Sequence, residues 1–260
     1  MILDELAAHA RERVAAARAR VPLEEIRAQA EALPRGDFRF EKALTGKGTA
    51  FICEIKKASP SRGVIDPQFD YIGIASQYEE AGADCISVLT EPKWFLGSDD
   101  IFRAVRLTVD APMLRKDFAV DAYQIYEARV LGADAVLLIC ALLDTGTLRE
   151  YLAICDRLGL SALVETHDEA EMQSAVAAGA RLIGVNNRNL RDFSVDLGNA
   201  ARLRAGAPEG TIFVAESGVS CPEDAAKLRQ AGADAILVGE YLMRSPDKQG
   251  ALQALREAAK

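Results

Sequence analysis

Charged and polar residues stand where short apolar runs end. Glu54 and Lys56 follow Ala50-Phe51-Ile52-Cys53, Lys116 closely follows Ala111-Pro112-Met113-Leu114, and Glu165 follows Ser161-Ala162-Leu163-Val164. Asn186 ends Leu182-Ile183-Gly184-Val185, and Glu216 with Ser217 ends Thr211-Ile212-Phe213-Val214-Ala215. A buried strand does not normally stop at a charge unless that charge faces water or a ligand. If the runs are parallel strands of one barrel, their ends share one mouth, where lysines, carboxylates and an amide converge. Lysines there can act as general acids, pair with a substrate carboxylate or form a Schiff base, and the carboxylates can serve as bases or hold the lysines protonated. Two lysines in one pocket lower each other's pKa unless carboxylates compensate. Glu54 beside Lys56 can also be a structural ion pair, and Asn186 can also satisfy loop backbone.

The elements that must position these residues are written in a repeat. Gly82-Ala83-Asp84, Gly132-Ala133-Asp134, Gly179-Ala180-Arg181 and Gly232-Ala233-Asp234 each follow an alanine-rich helical stretch and precede an apolar run. The glycine reads as a helix cap, and the spacing of about fifty residues is twice a strand–helix unit, so the units come in an even-numbered array. Strands are expected near residues 50–55, 85–89, 111–115, 134–139, 161–165, 181–186, 211–215 and 235–239. Helices are expected to begin near Pro67, Ser98, Asp121, Asp144, Asp168, Val195 and Cys221, with a last one from about Gln249. Short, continuous apolar strands alternating with helices imply parallel pairing covered on both faces. The fold class is α/β, a closed (β/α)8 barrel; an open doubly wound sheet is the alternative, but no GxGxxG follows the first strand.

The chain reads as one domain over 1–260, with residues 1–45 a helical extension and 46–260 the barrel. In the extension, Ile2–Arg20 is amphipathic with Ile2, Leu3, Leu6 and Val14 on its apolar side, and Pro22 opens a second helix carrying Leu23, Ile26 and Leu33. Arg11, Arg13, Arg18 and Arg20 read as a solvated face in preference to a phosphate or nucleic-acid contact. The sequence does not say which end of the barrel the extension covers.

Half the residues are hydrophobic, 27% are charged and the net charge is -8, which suits a globular enzyme and excludes a general nucleic-acid binder. A small molecule is the favoured partner. No apolar run is long enough to span a bilayer, and Asp4 and Glu5 stand where a signal peptide would carry positive charge, so the expected location is cytoplasmic. Cys53, Cys85, Cys140, Cys155 and Cys221 form no CxxC pair and read as free, mostly buried thiols. His9 and His167 lack metal-ligand spacing and read as exposed or incidental, with no metal site. Ser217-Gly218 and Gly239 mark the last two mouths, where barrels of this type hold phosphate on backbone N–H groups, with Ser59 and Arg188 as further donors.

The ordered motifs FICEIKKASPSRG, SVLTEPKWFLGS, MLRKDF, LVETHDE, IGVNNRNL, VAESGV and ILVGEYLM, after an N-terminal ILDELAAHARERVA, resemble the indole-3-glycerol-phosphate synthase family of tryptophan biosynthesis over nearly the whole chain. The resemblance implies a (β/α)8 barrel with its helical extension near the mouth and a reaction without metal or organic cofactor. It implies the decarboxylating, dehydrating closure of 1-(2-carboxyphenylamino)-1-deoxyribulose 5-phosphate to the indole. By resemblance, Lys116 is the acid for ring closure, and Lys56 pairs with the substrate carboxylate and can act later in dehydration, though the two roles could be exchanged. Glu165 is the general base, Glu54 sets the charge of the lysines, and Asn186, Glu216 and Ser217 orient hydroxyls. Ser59, Gly218, Gly239 and the Glu240 backbone N–H hold phosphate, Arg188 matches a pocket position, and Pro60, Phe95, Phe118 and Leu190 pack the anthranilate ring. Glu240 departs from relatives that carry a small hydroxyl residue there, which leaves a backbone contact. A monomer is expected. Another phosphosugar barrel, an isomerase or a Schiff-base aldolase, is the enzymatic rival; a binding barrel without catalysis would lack a key side chain, and none is missing.

Overall fold

The computed structural model describes residues 2–46 and 48–260. Eight parallel strands, β1 (Ala50–Ile55), β2 (Cys85–Leu89), β3 (Met113–Lys116), β4 (Ala135–Ile139), β5 (Ser161–Thr166), β6 (Leu182–Asn186), β7 (Ile212–Glu216) and β8 (Ala235–Val238), form a closed barrel. Each strand pairs with the next, and β1 closes on β8 with Ala50 opposite Ala235. Continuous burial along β1, β2, β4, β5 and β8 explains their unbroken apolar sequence: one face fills the barrel and the other meets helices. Ile52, Leu114, Leu137, Leu163, Val214 and Leu237 fill the interior. The expected third strand begins two residues late because Pro112 has no N–H for the ladder.

The repeated glycines all adopt positive φ, between 77° and 91°. The aspartates after them explain the two-unit period. Asp84 accepts the backbone N–H of Phe51 (2.7 Å), Asp134 that of Met113 (2.8 Å) and Asp234 that of Phe213 (2.8 Å). Each aspartate introducing an even-numbered strand thus satisfies an N–H at the start of the preceding strand. Arg181 breaks the pattern and instead pairs with Glu41 and Asp156.

The N-terminal extension serves both ends of the barrel. Helix α1 (Ile2–Arg20) buries Leu6, Ala7, Ala10, Val14 and Ala17, while Ile2 and Leu3 are only half-buried. Ile2 and Leu6 line the cavity at the strands' C-terminal ends. Helix α2 (Leu23–Ala32) buries Ile26 and Ala30; Leu33 lies beyond it and is exposed, against expectation. A third helix, α3 (Arg39–Leu44), was not apparent in the sequence and plugs the opposite end with Phe40 and Leu44, packed on Ala50, Cys85 and Ala135. A hairpin of Ala58–Ser59 with Gly63–Val64, also unforeseen, shapes the loop after β1.

Arg13 corrects the reading of a solvated basic face. Its guanidinium makes two bonds to buried Asp117, at 2.7 and 3.0 Å, and Arg18 pairs with Asp121 at 2.7 Å. Asp117 also accepts from Thr90 (2.6 Å) and from the Phe118 N–H (2.8 Å). Arg13→Ala strands this carboxylate without its cation, and a loss of roughly 3 kcal/mol in urea unfolding is expected. A change below ~0.5 kcal/mol would mean that the clamp carries no stability.

The later helices are α4 (Tyr71–Glu80), α5 (Asp99–Thr108), α6 (Tyr123–Val130), α7 (Thr145–Leu158), α8 (Glu169–Ala178), α9 (Gly198–Arg204), α10 (Pro222–Gln230), α11 (Glu240–Arg244) and α12 (Lys248–Ala258). Ser98, Asp144 and Asp168 cap α5, α7 and α8 through their side chains, where the sequence placed the starts. Helix α4 begins later than Pro67, capped by Asp70, and α9 begins after Val195. Among the described residues no helix is long and apolar enough to cross a membrane.

Candidate active site

The ends of the strands surround a cavity of about 720 Å³, and every site residue nominated from the sequence lines it. Around the strand ends stand Glu54, Lys56, Lys116, Glu165, Asn186, Glu216 and Ser217; beyond β1, β6, β7 and β8 lie Ser59, Arg188, Gly218, Gly239 and Glu240. Pro60, Phe95, Phe118 and Leu190 supply an apolar side, with the Phe95 and Phe118 rings 6.0 Å apart and tilted by 42°.

Lys116 is the electrostatic centre. Its Nζ donates to Glu165 Oε2 at 3.0 Å and to Glu216 Oε2 at 2.8 Å. Burial disfavours the ammonium, but Glu216 and Glu165 outweigh it and raise the Lys116 pKa above the ordinary lysine range. The compensation by carboxylates that two neighbouring lysines require is therefore in place. Lys56 Nζ lies 2.5 Å from Glu54 Oε1, so each lysine has its own acidic partner. Glu54, Glu165 and Glu216 are only 4%, 3% and 2% exposed, which makes these pairs depend on one another.

The two carboxylates on Lys116 are not equivalent. Burial pushes Glu216 up to about 7 despite the lysine. Burial also opposes the charge of Glu165, but Lys116 and then His167 overcome it and hold this carboxyl below the usual range. The Asn186 amide also favours the charged form of Glu165, while its Oδ1 accepts the Arg188 N–H at 3.0 Å. Asn186 thereby fixes the start of the loop that carries Arg188.

Two glycines make room for these side chains. A Cβ on Gly184 would sit 2.1 Å from Glu216 Oε1, and one on Gly239 would sit 2.4 Å from Glu54 Oε1 and 3.0 Å from Lys56 Nζ. Gly184→Ala is expected to push Glu216 off Lys116 and lower turnover roughly tenfold, since misplacement by an ångström costs up to ~10²-fold. Unchanged kcat with an intact fold would mean that the Glu216 position is not critical. Ser217 has φ of 65°, a left-handed conformation that costs a non-glycine residue on the order of 1 kcal/mol and holds the turn after β7 in place.

The Glu240 side chain is already engaged: it accepts from Arg62 Nε at 3.2 Å and Arg244 Nε at 3.1 Å. Both arginines line the cavity and escaped the sequence reading, because the loop after β1 and helix α11 that carry them are far apart in the chain. Glu91 was also missed. Fully buried, it accepts the N–H groups of Lys93, Trp94 and Phe95 at 2.8–3.0 Å and so shapes the loop that presents Phe95. The histidines are not exposed, correcting the expectation. His9 Nδ1 lies 3.1 Å from Glu91, and His167 Nε2 lies 3.4 Å from Glu165 Oε1. Among the described residues no cluster of His, Cys, Asp and Glu could hold a metal ion. All five cysteines are free thiols, four of them buried.

Comparison with known proteins agrees with this arrangement. The chain is 54% identical over 260 residues to an indole-3-glycerol phosphate synthase of Ruminiclostridium cellulolyticum, covering 100% of both proteins. It is 46% identical over 268 residues to one from Lachnoclostridium phytofermentans, covering 98% of this chain and 99% of the other. Among solved structures, a thiamine phosphate pyrophosphorylase from Pyrococcus furiosus superposes with a TM-score of 0.61 at 17% identity, over 81% of this chain and 95% of the other, a likeness of fold alone. The family profile for indole-3-glycerol phosphate synthase matches residues 3–255, and with these identities the chain belongs to that family.

Proposed function

We propose that the chain closes the indole ring of 1-(2-carboxyphenylamino)-1-deoxyribulose 5-phosphate, releasing carbon dioxide and water to give indole-3-glycerol phosphate. The observation that carries this reading is Lys116 clamped between Glu165 and Glu216 at the ends of three different strands. A lysine held protonated there can donate to the substrate ketone oxygen as the ring carbon bearing the carboxylate attacks the carbonyl carbon. Lys56, beside Glu54, suits the substrate carboxylate that then leaves as carbon dioxide. Loss of carbon dioxide restores the benzene ring; in the dehydration the hydroxyl formed from the ketone then leaves as water, with a lysine as acid and Glu165 removing a proton from the CH2 beside the nitrogen to complete the indole. Asn186, Glu216 and Ser217 orient the hydroxyls. Ser59, Gly218, Gly239 and the Glu240 N–H hold the phosphate near Arg188, and Pro60, Phe95, Phe118 and Leu190 cover the aromatic ring.

A Schiff-base aldolase needs a neutral amine, and the carboxylates on Lys116 favour the ammonium, which weighs against that chemistry. Incubation of the purified chain with the anthranilate-derived substrate, without added metal, should give rising indole fluorescence together with carbon dioxide. Binding without either signal would leave a binding barrel, and release of an isomer without carbon dioxide would point to an isomerase. The chain is further read as a cytoplasmic monomer; its buried free thiols fit a reducing compartment. A constant dimer mass in sedimentation across a concentration series would overturn the monomer.

A further inference from the structure

His167 stands one residue past the end of β5, behind Glu165 and on the side away from Lys116's contact. Its ring Nδ1 lies 3.0 Å from Glu171 Oε2, and the same carboxylate oxygen accepts the His167 backbone N–H at 2.8 Å. Asn199 Nδ2 on α9 donates to the His167 carbonyl at 3.1 Å, so backbone and ring are both fixed. The other ring nitrogen, Nε2, is buried, makes no hydrogen bond and faces Glu165 Oε1 at ion-pair distance, 3.4 Å, while Lys116 takes Glu165 Oε2.

The imidazole therefore has a carboxylate at each nitrogen. A neutral ring would donate to one and present a lone pair to the other, which is repulsive; a ring protonated at both nitrogens bonds Glu171 and pairs electrostatically with Glu165. The titratable groups facing it from the packed elements are Glu165 on β5, Glu171 on α8 and, farther off, Glu216 on β7, and all of them favour the cation. Burial works against that charge, but the bond to Glu171 and the fields of Glu165 and Glu171 outweigh it and raise the His167 pKa.

Glu216 has no equivalent. Its Oε2 meets Lys116, but its Oε1 is buried against Gly184 with no hydrogen-bond partner. Two buried carboxylates sharing one ammonium titrate as a pair, and a second cation at one of them decides where the remaining proton sits. We infer that His167, held by Glu171, is a positioning residue that keeps Glu165 the ionised and correctly aimed member of the pair and leaves the proton on Glu216. The inference rests on Glu165 being the base of the ring-forming reaction.

The chain contains two histidines, so their imidazole protons can be followed by NMR titration, with His9→Gln giving the assignment. In the resting protein His167 should titrate above the ordinary value of 6.5, and its midpoint should fall in both Glu165→Gln and Glu171→Gln. His167→Gln should lower kcat on the order of tenfold, less than loss of the base itself, and move the acid limb of the pH–rate profile to higher pH. A His167 midpoint at or below 6.5, or one unmoved by Glu165→Gln, would overturn the inference. So would an unshifted acid limb in His167→Gln while the unsubstituted protein forms product. Absence of product from the unsubstituted protein counts against the proposed reaction instead, and the titration still decides the role of His167.

Discussion

Lys116→Met is expected to lower turnover by at least ~10²-fold, because it removes the proposed acid of ring closure. Methionine retains most of the stem's volume, so the apolar packing around β3 persists. What is lost is the one ammonium that both Glu165 and Glu216 contact. Even with that ammonium in place, burial raises Glu216 to about 7 against an ordinary 4.5. Without it, the carboxyl binds its proton more tightly still in the folded chain. A group that holds a proton more tightly when folded stabilises the fold at pH below its unfolded pKa and loses that contribution as pH rises through the folded value. The variant should therefore melt higher near pH 5 than near pH 8, by a wider margin than the unsubstituted protein. Low turnover at a pH where circular dichroism and melting report an intact barrel separates lost chemistry from lost structure. Turnover within tenfold of the unsubstituted protein under those conditions would take the acid role from Lys116.

The charged and amide residues at the strand ends were legible because each stands where an apolar run stops, and a strand buried on both faces leaves a charge nowhere to go except the mouth, whereas Pro60, Phe95, Phe118 and Leu190 came only with the family resemblance. The repeat was legible too, although the reason for its period lies in the aspartates reaching the previous strand rather than in the glycines. Other features carry no local signal. Arg13 and Asp117 are 104 residues apart, and Arg13 in sequence is one arginine among several on a polar helix. Helix α3 is a six-residue segment, too short to show a period, and its burial is set by the open floor of the barrel. Gly184 reads as a weakness within a strand until Glu216 from the neighbouring strand is seen to occupy the space a Cβ would need. His167 follows a strand end that already ends in a carboxylate, so the more conspicuous Glu165 hides its partner. Local patterns report which face of an element is buried. Pairings between elements depend on the closure of the whole barrel.

Glu165→Gln should cost at least ~10²-fold in turnover, since the amide keeps the shape of the carboxylate but cannot take a proton. Its second effect distinguishes the base from its neighbour. The charge on Glu165 helps to raise Glu216, whose last proton is held to about pH 7. Neutralising Glu165 removes that repulsion while Lys116 remains 2.8 Å from Glu216, so Glu216 must ionise at lower pH in the variant. The residual activity of Glu165→Gln should accordingly lose the inflection near neutrality and show it displaced to the acid side. Glu216→Gln makes the reverse comparison: it removes the group that titrates near 7 and leaves Glu165 paired with Lys116 and His167, so its profile should be flat through neutrality. If Glu165→Gln retained near-normal turnover with the inflection unmoved, Glu216 would be the base, because the proton it gives up near neutral pH is then the one whose loss the reaction requires.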